Sequence, residues 1–274
     1  MKLCRFQPLE FGASRVGKSE EFSRPEPRTG LIAGETVREL AGETIAAALG
    51  EGRETGREWP LAEVKLLPPS APTKIVCIGR NYREHAAELG NELPKEPLIF
   101  LKPPSAVIAP EEPIVLTPLS KRVDYEGELA VVIGRECHGL APNEDVMPYI
   151  AGYTCLNDVT ARDLQIADVQ FTRSKSFDTF CPFGPVLETE LDLGAVTVET
   201  YVNGKRKQSA PVSEMIFSVD VIIRWIAQVM TLSPGDVVAT GTPAGVGPLA
   251  AGDVVEVVVS GVGTLRNPVM APEV

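Results

Sequence analysis

The segment Tyr125-Glu126-Gly127-Glu128-Leu129-Ala130-Val131-Val132-Ile133-Gly134 opens on two carboxylates and then carries no further polar side chain. In an extended chain, residues i and i+2 point to the same side, roughly 7 Å apart. The β-branched remainder has no polar face, so the pattern predicts a strand buried on both sides. Two like charges held together in a core repel each other and lose their water, and one of them would take a proton. A divalent cation between them removes that conflict and makes the pair a binding site. An isolated Glu-x-Glu on a strand is ordinarily a solvated face; the apolar flank sets this one apart.

The 274 residues allow a sizeable core, as one large domain or as a small domain and a larger one. The 24 Gly and 24 Pro are scattered, which favours a strand- and turn-rich fold over a helical bundle. A formal net charge of −11 argues against nucleic acid or an anionic membrane surface as partner. No apolar run reaches the about 18 residues of a membrane span. Met1 to Glu10 lacks the basic-then-apolar layout of a signal peptide. Cys4, Cys77, Cys137, Cys155 and Cys181 include no Cys-x-x-Cys pair, and several lie in apolar runs. They read as reduced, packed thiols of a cytoplasmic protein, not as a disulfide frame or a zinc site.

Leu67-Pro68-Pro69-Ser70-Ala71-Pro72 cannot continue a helix or a central strand. A boundary is expected there, between a small N-terminal domain (1–70) and a larger one (73–274). Thr36 to Leu49 fits a short amphipathic helix with Val37, Leu40, Ala41, Ile45 and Ala48 on one side. Strands are expected at 74–78, 98–101, 126–133, 149–156, 196–202, 236–240 and 254–259. A short helix is expected at Arg83 to Leu89, and Asn203-Gly204 reads as a type I′ hairpin turn. The clearest helix is Val219 to Met230, with Ser218 as its cap.

A third acid joins the pair: Ile150-Ala151-Gly152-Tyr153-Thr154-Cys155-Leu156-Asn157-Asp158 is an apolar strand ending in Asp158. Three carboxylates without a nearby His or Cys pair form an oxygen-only site, suited to Mg²⁺, Mn²⁺ or, as a substitute, Ca²⁺. No organic cofactor fingerprint is present; the glycines of Thr240 to Pro248 lack a Walker or Rossmann context.

Six ordered motifs resemble the fumarylacetoacetate hydrolase family over roughly residues 73–270. They are Ile78-Gly79-Arg80-Asn81-Tyr82 with His85 and Glu88, Phe100-Leu101-Lys102-Pro103, Asp124 to Leu129, Asn157 to Gln165, Lys175-Ser176-Phe177-Asp178, and Thr240 to Pro248. The first 70 residues match only loosely. The resemblance implies an α+β, mainly β fold, with a mixed β-roll catalytic domain behind a small N-terminal α/β domain. It also implies a homodimer and a Mg²⁺ or Mn²⁺ held by Glu126, Glu128 and Asp158. It implies too an enzyme that cuts or rearranges carbon–carbon bonds in 2-oxo or 1,3-diketo acids, within the branch that holds acylpyruvate hydrolases, oxaloacetate decarboxylases and 2-hydroxyhepta-2,4-diene-1,7-dioate isomerases.

A 2-oxo acid chelates a metal through its carboxylate and keto oxygens, and the Lewis acid stabilises the enolate that forms when the bond breaks. An anionic substrate at three carboxylates needs cations: Lys175 first, then Arg80 and Arg162. His85 and Glu88 stand at i and i+3, on one helix face, where the carboxylate orients the ring. The resemblance makes them a water-activating or proton-shuttling pair on a lid. Gly241 and Thr242 are expected to offer an N–H and a hydroxyl to a substrate carboxylate, and Gln165 to touch substrate. The leading expectation is hydrolysis of an acylpyruvate-type 2,4-diketo acid, with water activated by His85 and a metal-bound pyruvate enolate as leaving group. Decarboxylation of oxaloacetate and isomerisation or tautomerisation of a hydroxy-diene dioate use the same site. A non-catalytic metal-binding module is the reading of another class, and it would need neither His85 nor Lys175.

Overall fold

The computed structural model describes residues 1–9, 26–42, 44–88, 90 and 92–272. All seven residues of strand Gly127–Ile133 are buried. Leu129, Val131 and Ile133 enter one apolar core, and Ala130 and Val132 enter a second on the opposite face. Each of the leucine, valine and isoleucine side chains contributes about 1.5–3 kcal/mol of burial, which holds the strand at the centre of the molecule.

That strand belongs to a twelve-stranded, largely antiparallel sheet. Its neighbours are Ile150–Asn157 on one side and Val237–Ala239 on the other. Val237–Ala239 pairs in parallel with Ile75–Gly79, which pairs with the outer strand Leu98–Lys102. In the other direction the sheet passes through Cys181–Glu188 to Lys2–Pro8 and the strands Arg28–Ala33, Thr36–Leu40 and Glu54–Pro60. One sheet thus runs through residues on both sides of the proline-rich stretch. A five-stranded sheet packs on it through Val198, Val257, Val259 and Leu265, and helix Val219–Val229 through Ile222, Ile223 and Ile226. A three-stranded sheet joins Val123–Tyr125 to Thr160–Ala161 and Gly247–Pro248. The expected α+β, mainly β class is the observed one.

Two local expectations need correction. Thr36–Leu40 is a strand, and a helix begins only at Ile45, capped by the Thr44 hydroxyl. The apolar spacing of Val37 and Leu40 suits either period, but Gly34, at φ 63°, turns the chain back and pairs the segment with Arg28–Ala33. In the helix expected at Val219 to Met230, which ends at Val229, Ser218 makes no capping bond through its side chain and hydrogen-bonds Asp220 instead. The helix after Tyr82 spans Arg83–Glu88, and Leu89 lies outside the described residues. Asn203 and Gly204 both take positive φ between strands Thr197–Val202 and Lys205–Pro211, as a type I′ turn requires.

Candidate active site

The register of two central strands brings the three acids together. Gly127 pairs with Asn157, so Glu126 and Asp158 lie side by side: the Asp158 N–H donates to the Glu126 carbonyl at 2.8 Å. The Asn157 side chain accepts from the Glu126 N–H at 2.9 Å. A Cβ on Gly127 would sit 2.0 Å from the Thr200 hydroxyl, so only glycine lets the strand approach the five-stranded sheet here. One oxygen each from Glu126, Glu128 and Asp158 falls within 4.8 Å of the others. Oxygens around a hard divalent ion at 2.0–2.6 Å stand about 3–5 Å apart, so the spacing fits.

The electrostatics distinguish the three acids. Glu126 accepts from Lys175 Nζ at 2.7 Å and from Arg162. Burial alone would raise its pKa, but the charges of Lys175 and Arg162 overcome that and hold it well below the usual carboxylate range. Asp158 accepts from Lys175 Nζ at 2.6 Å and Lys102 Nζ at 2.6 Å. Glu128 is only 2% exposed; among the described residues it has one hydrogen bond, from the Gly241 N–H at 2.7 Å, and no paired cation. Burial, then Asp158 and Glu126, push its pKa well above the ordinary value. A buried carboxylate in that position takes either a proton or a metal. Asp124, Glu126, Glu128 and Asp158 bring four negative charges and Lys102, Lys175 and Arg162 three positive ones, so the buried cluster is one positive charge short. Arg122 also reaches Asp124 (2.8 Å), but from a half-exposed position. The donor set, the spacing and the charge deficit fit a divalent ion.

His85 Nδ1 lies 3.2 Å from Glu88 Oε2, on helix Arg83–Glu88. Glu88 is tied from the far side by the Gly245 N–H, at 3.1 Å, and the Gly245 carbonyl accepts from the Tyr125 hydroxyl at 2.9 Å. A Cβ on Gly245 would meet the Lys207 carbonyl at 2.1 Å, and its φ of 100° suits glycine alone. The loop after Thr240 therefore links the acid strand to the histidine helix.

Both features face one cavity of about 290 Å³. Of the residues singled out in the sequence, Arg80, His85, Glu126, Glu128, Asp158, Arg162, Gln165, Lys175 and Thr242 line it. Gly241 and Glu88 do not line it but bond to Glu128 and His85, which do. Ile78, Phe100, Ile166 and Phe171 make an apolar side, with Ile166 80% exposed at the mouth. Several expected substrate contacts are already engaged. The Gly241 N–H, expected to meet a substrate carboxylate, is taken by Glu128, the nearest buried acceptor. The Thr242 hydroxyl donates to the Gly127 carbonyl at 2.9 Å and accepts from Gln208 at 2.8 Å. Arg162 uses Nε on Asp124 (2.9 Å), Nη1 on Gln165 (2.5 Å) and Nη2 on Glu126.

Sequence reasoning assigned no role to Lys102, Asp124, Tyr125 or Gln208. Lys102 and Asp124 are fully buried and hold Asp158 and Arg162. The available signal was a charged residue set among strand-forming apolar ones, Leu98-Ile99-Phe100-Leu101-Lys102 and Val123-Asp124-Tyr125. Gln208 carried none; it lies on an exposed hairpin strand and enters the site only through tertiary packing, where its Oε1 accepts from the Gly127 N–H at 3.0 Å.

Residues 74–270 match the family described as fumarylacetoacetate (FAA) hydrolase, C-terminal, and residues 22–69 match Rv2993c-like, N-terminal. Oxaloacetate tautomerase YisK of Bacillus subtilis is 44% identical over 225 residues, covering 76% of this chain and 74% of that protein. The crystal structure of 2-hydroxyhepta-2,4-diene-1,7-dioate isomerase from Mycobacterium marinum superposes with a TM-score of 0.85 at 41% identity, covering all of both chains. Maleylpyruvate hydrolase from Sphingobium sp. SYK-6, solved with manganese (II) ion and pyruvate, superposes at 0.77 with 30% identity, again over both whole chains. The chain therefore belongs to the fumarylacetoacetate hydrolase family, whose members include isomerases, tautomerases and hydrolases, one of them the hydrolase solved with manganese.

Proposed function

We propose that this protein moves a proton between the keto and enol forms of a small 2-oxo acid bound at Glu126, Glu128 and Asp158 with Mg²⁺ or Mn²⁺. The observation that carries this reading is His85, held by Glu88 at 3.2 Å, on the wall of the cavity that the three acids also line. A divalent ion there would supply Lewis acidity to a chelating 2-oxo acid and lower the cost of its enolate. Glu88 holds His85 through Nδ1, which leaves Nε2 to exchange a proton with the carbon beside the keto group. The N–H of Gly245 keeps Glu88 in place. Lys175 and Arg162 balance the carboxylates, and the apolar side made by Phe100, Phe171 and Ile78 limits water at the reacting carbon. A 2-oxo acid tautomerisation needs one proton relay, and one is present. The kinship with YisK supports the same reaction class.

Hydrolysis of a carbon–carbon bond in a 2,4-diketo acid is the second reading. It is favoured by the apolar side of the cavity, which suits an acyl tail, and by the kinship with a hydrolase. There His85 would deprotonate water.

The test is deuterium wash-in at C3 of oxaloacetate, followed by proton NMR with Mn²⁺-free Mg²⁺ buffer, and release of acetate from acetylpyruvate. The proposal expects enzyme-accelerated exchange that chelator removes and His85→Ala slows about 100-fold or more. Acetate release without accelerated exchange would move the assignment to hydrolysis. No acceleration of either would overturn both.

A further inference from the structure

We propose that a second cavity, between strand Lys2–Pro8 and the far end of the acid strand, binds a small monocarboxylic acid with an apolar body, its carboxylate held by Arg5.

This cavity measures about 240 Å³ and shares no lining residue with the one that holds the three acids. Arg5, Ile45, Ser70, Val132, Ala151 and Pro234 are among its walls. Strand Lys2–Pro8 alternates between two cores. Cys4 and Phe6 enter one and Leu3 the other, so Arg5 points to the side of Leu3, where Ile45, Val132 and Ala151 also pack. A charge inside an apolar strand is the signal that Lys102 and Asp124 carry, and each of those has a partner of opposite charge. Arg5 has none among the described residues. Its Nη1 donates to the Pro68 carbonyl at 3.1 Å, and the rest of its donor fork has no protein acceptor there. Burial lowers its pKa, and no carboxylate counters that. A guanidinium drawn partly out of water without an anion leaves a desolvation cost that a bound anion would recover.

The neighbouring side chain gives a second, independent sign. Thr29 pairs directly across from Arg5 and so stands on the same face. It is 1% exposed, and its hydroxyl has no hydrogen-bond partner among the described residues. A donor fork and a hydroxyl thus sit side by side against an otherwise apolar layer. One cation calls for one negative charge, and Ile45, Val132, Ala151 and Pro234 call for an apolar body. Inorganic phosphate, strongly hydrated and mostly doubly charged at neutral pH, meets neither requirement.

The location gives such a ligand a consequence. Val132 follows Glu128 by four residues on one strand, about 13 Å away. The Gly235 N–H donates to the Ile133 carbonyl at 2.8 Å, and the Gly235 carbonyl accepts from the Ser70 hydroxyl at 2.7 Å. A ligand there bridges the first strand, the proline-rich stretch and the acid strand without entering the catalytic cavity.

The experiment uses the full chain in Mg²⁺ buffer, with benzoate as probe and benzamide and inorganic phosphate as controls, in the wild type, Arg5→Met and Arg5→Lys. Calorimetry should show benzoate binding roughly 10- to 100-fold more tightly than benzamide, the range set by a charge-assisted pair. Arg5→Met should remove that preference and Arg5→Lys should keep part of it. Methyl NMR of the wild type gives a readout that needs no variant: benzoate should shift the methyls of Ile45 and Val132 and leave those of Ile78 and Ile166, in the catalytic cavity, in place. Shifts confined to Ile78 and Ile166, equal affinity for benzamide or for phosphate, or no benzoate binding would each overturn the proposal. Should Arg5→Met fail to fold, the wild-type shifts and the benzoate-to-benzamide ratio still decide it.

Discussion

Glu128→Gln should stabilise the metal-free protein and abolish its response to metal. The reasoning starts from partners. Glu128 is buried and, among the described residues, receives one hydrogen bond, from Gly241, and has no cation partner, while Asp158 and Glu126 repel its charge. An uncompensated buried charge carries a desolvation penalty of about 1–3 kcal/mol or more. Glutamine has the same shape, keeps an oxygen for the Gly241 N–H and removes the charge. In chelator the variant should therefore melt higher by roughly 2–12 °C, taking about 2–4 °C per kcal/mol for a chain of this size. The pH dependence has a definite sign. The folded pKa of Glu128 is raised, so its contribution to stability is intact below the unfolded value of about 4.3 and is lost as pH rises through the folded value. The gap between variant and wild type should open with rising pH. Adding Mn²⁺ at about 100 times its Kd should stabilise the wild type by about 2.7 kcal/mol and the variant by far less. The assay is thermal unfolding with EDTA and with Mn²⁺, across pH. A variant that melts lower than wild type in EDTA, or that keeps the full metal shift, would refute the account.

Lys102→Met leaves Asp158 with Lys175 alone; breaking one side of this buried pair should cost about 3–5 kcal/mol in urea unfolding, and Lys102→Met with Asp158→Asn should cost less than the sum of the two single changes. Gly245→Ala drives a Cβ into the Lys207 carbonyl and displaces the N–H that holds Glu88; kcat should fall at least about tenfold while calorimetric Mn²⁺ affinity stays within about threefold, because no metal-facing group moves. Asp236 is buried, which alone would raise its pKa, but Lys74, the Ser233 N–H and Thr73 pull it below the ordinary value. Its stabilising contribution is therefore present above the unfolded pKa of about 3.9 and is lost as pH falls through the folded value. Asp236→Asn should lower stability by about 2 kcal/mol at pH 7, with the difference from wild type closing in acid; a gap that is flat from pH 7 to pH 3 contradicts this.

The acid strand was legible because burial on both faces leaves a local trace, an uninterrupted apolar run, and its two leading carboxylates break that trace at the point of interest. Asp158 was legible for the same reason, as the polar end of a second apolar run. Thr36–Leu40 was not, since five residues with Val and Leu three apart satisfy both periods, and only the hairpin made by Gly34 decides between them. The counter-ions were hardest to read. Lys102, Lys175 and Arg162 come from three separate segments. The need for cations could be argued from charge, and Lys175 and Arg162 were named on that ground; Lys102, a charge closing an apolar run, was passed over because its partner Asp158 lies on a distant strand. The loop glycines show the same limit from the other direction. Their conformational freedom was visible, and it suggested N–H groups aimed at a ligand; in the fold those of Gly241 and Gly245 are aimed at Glu128 and Glu88. The loop thus organises the protein's own carboxylates.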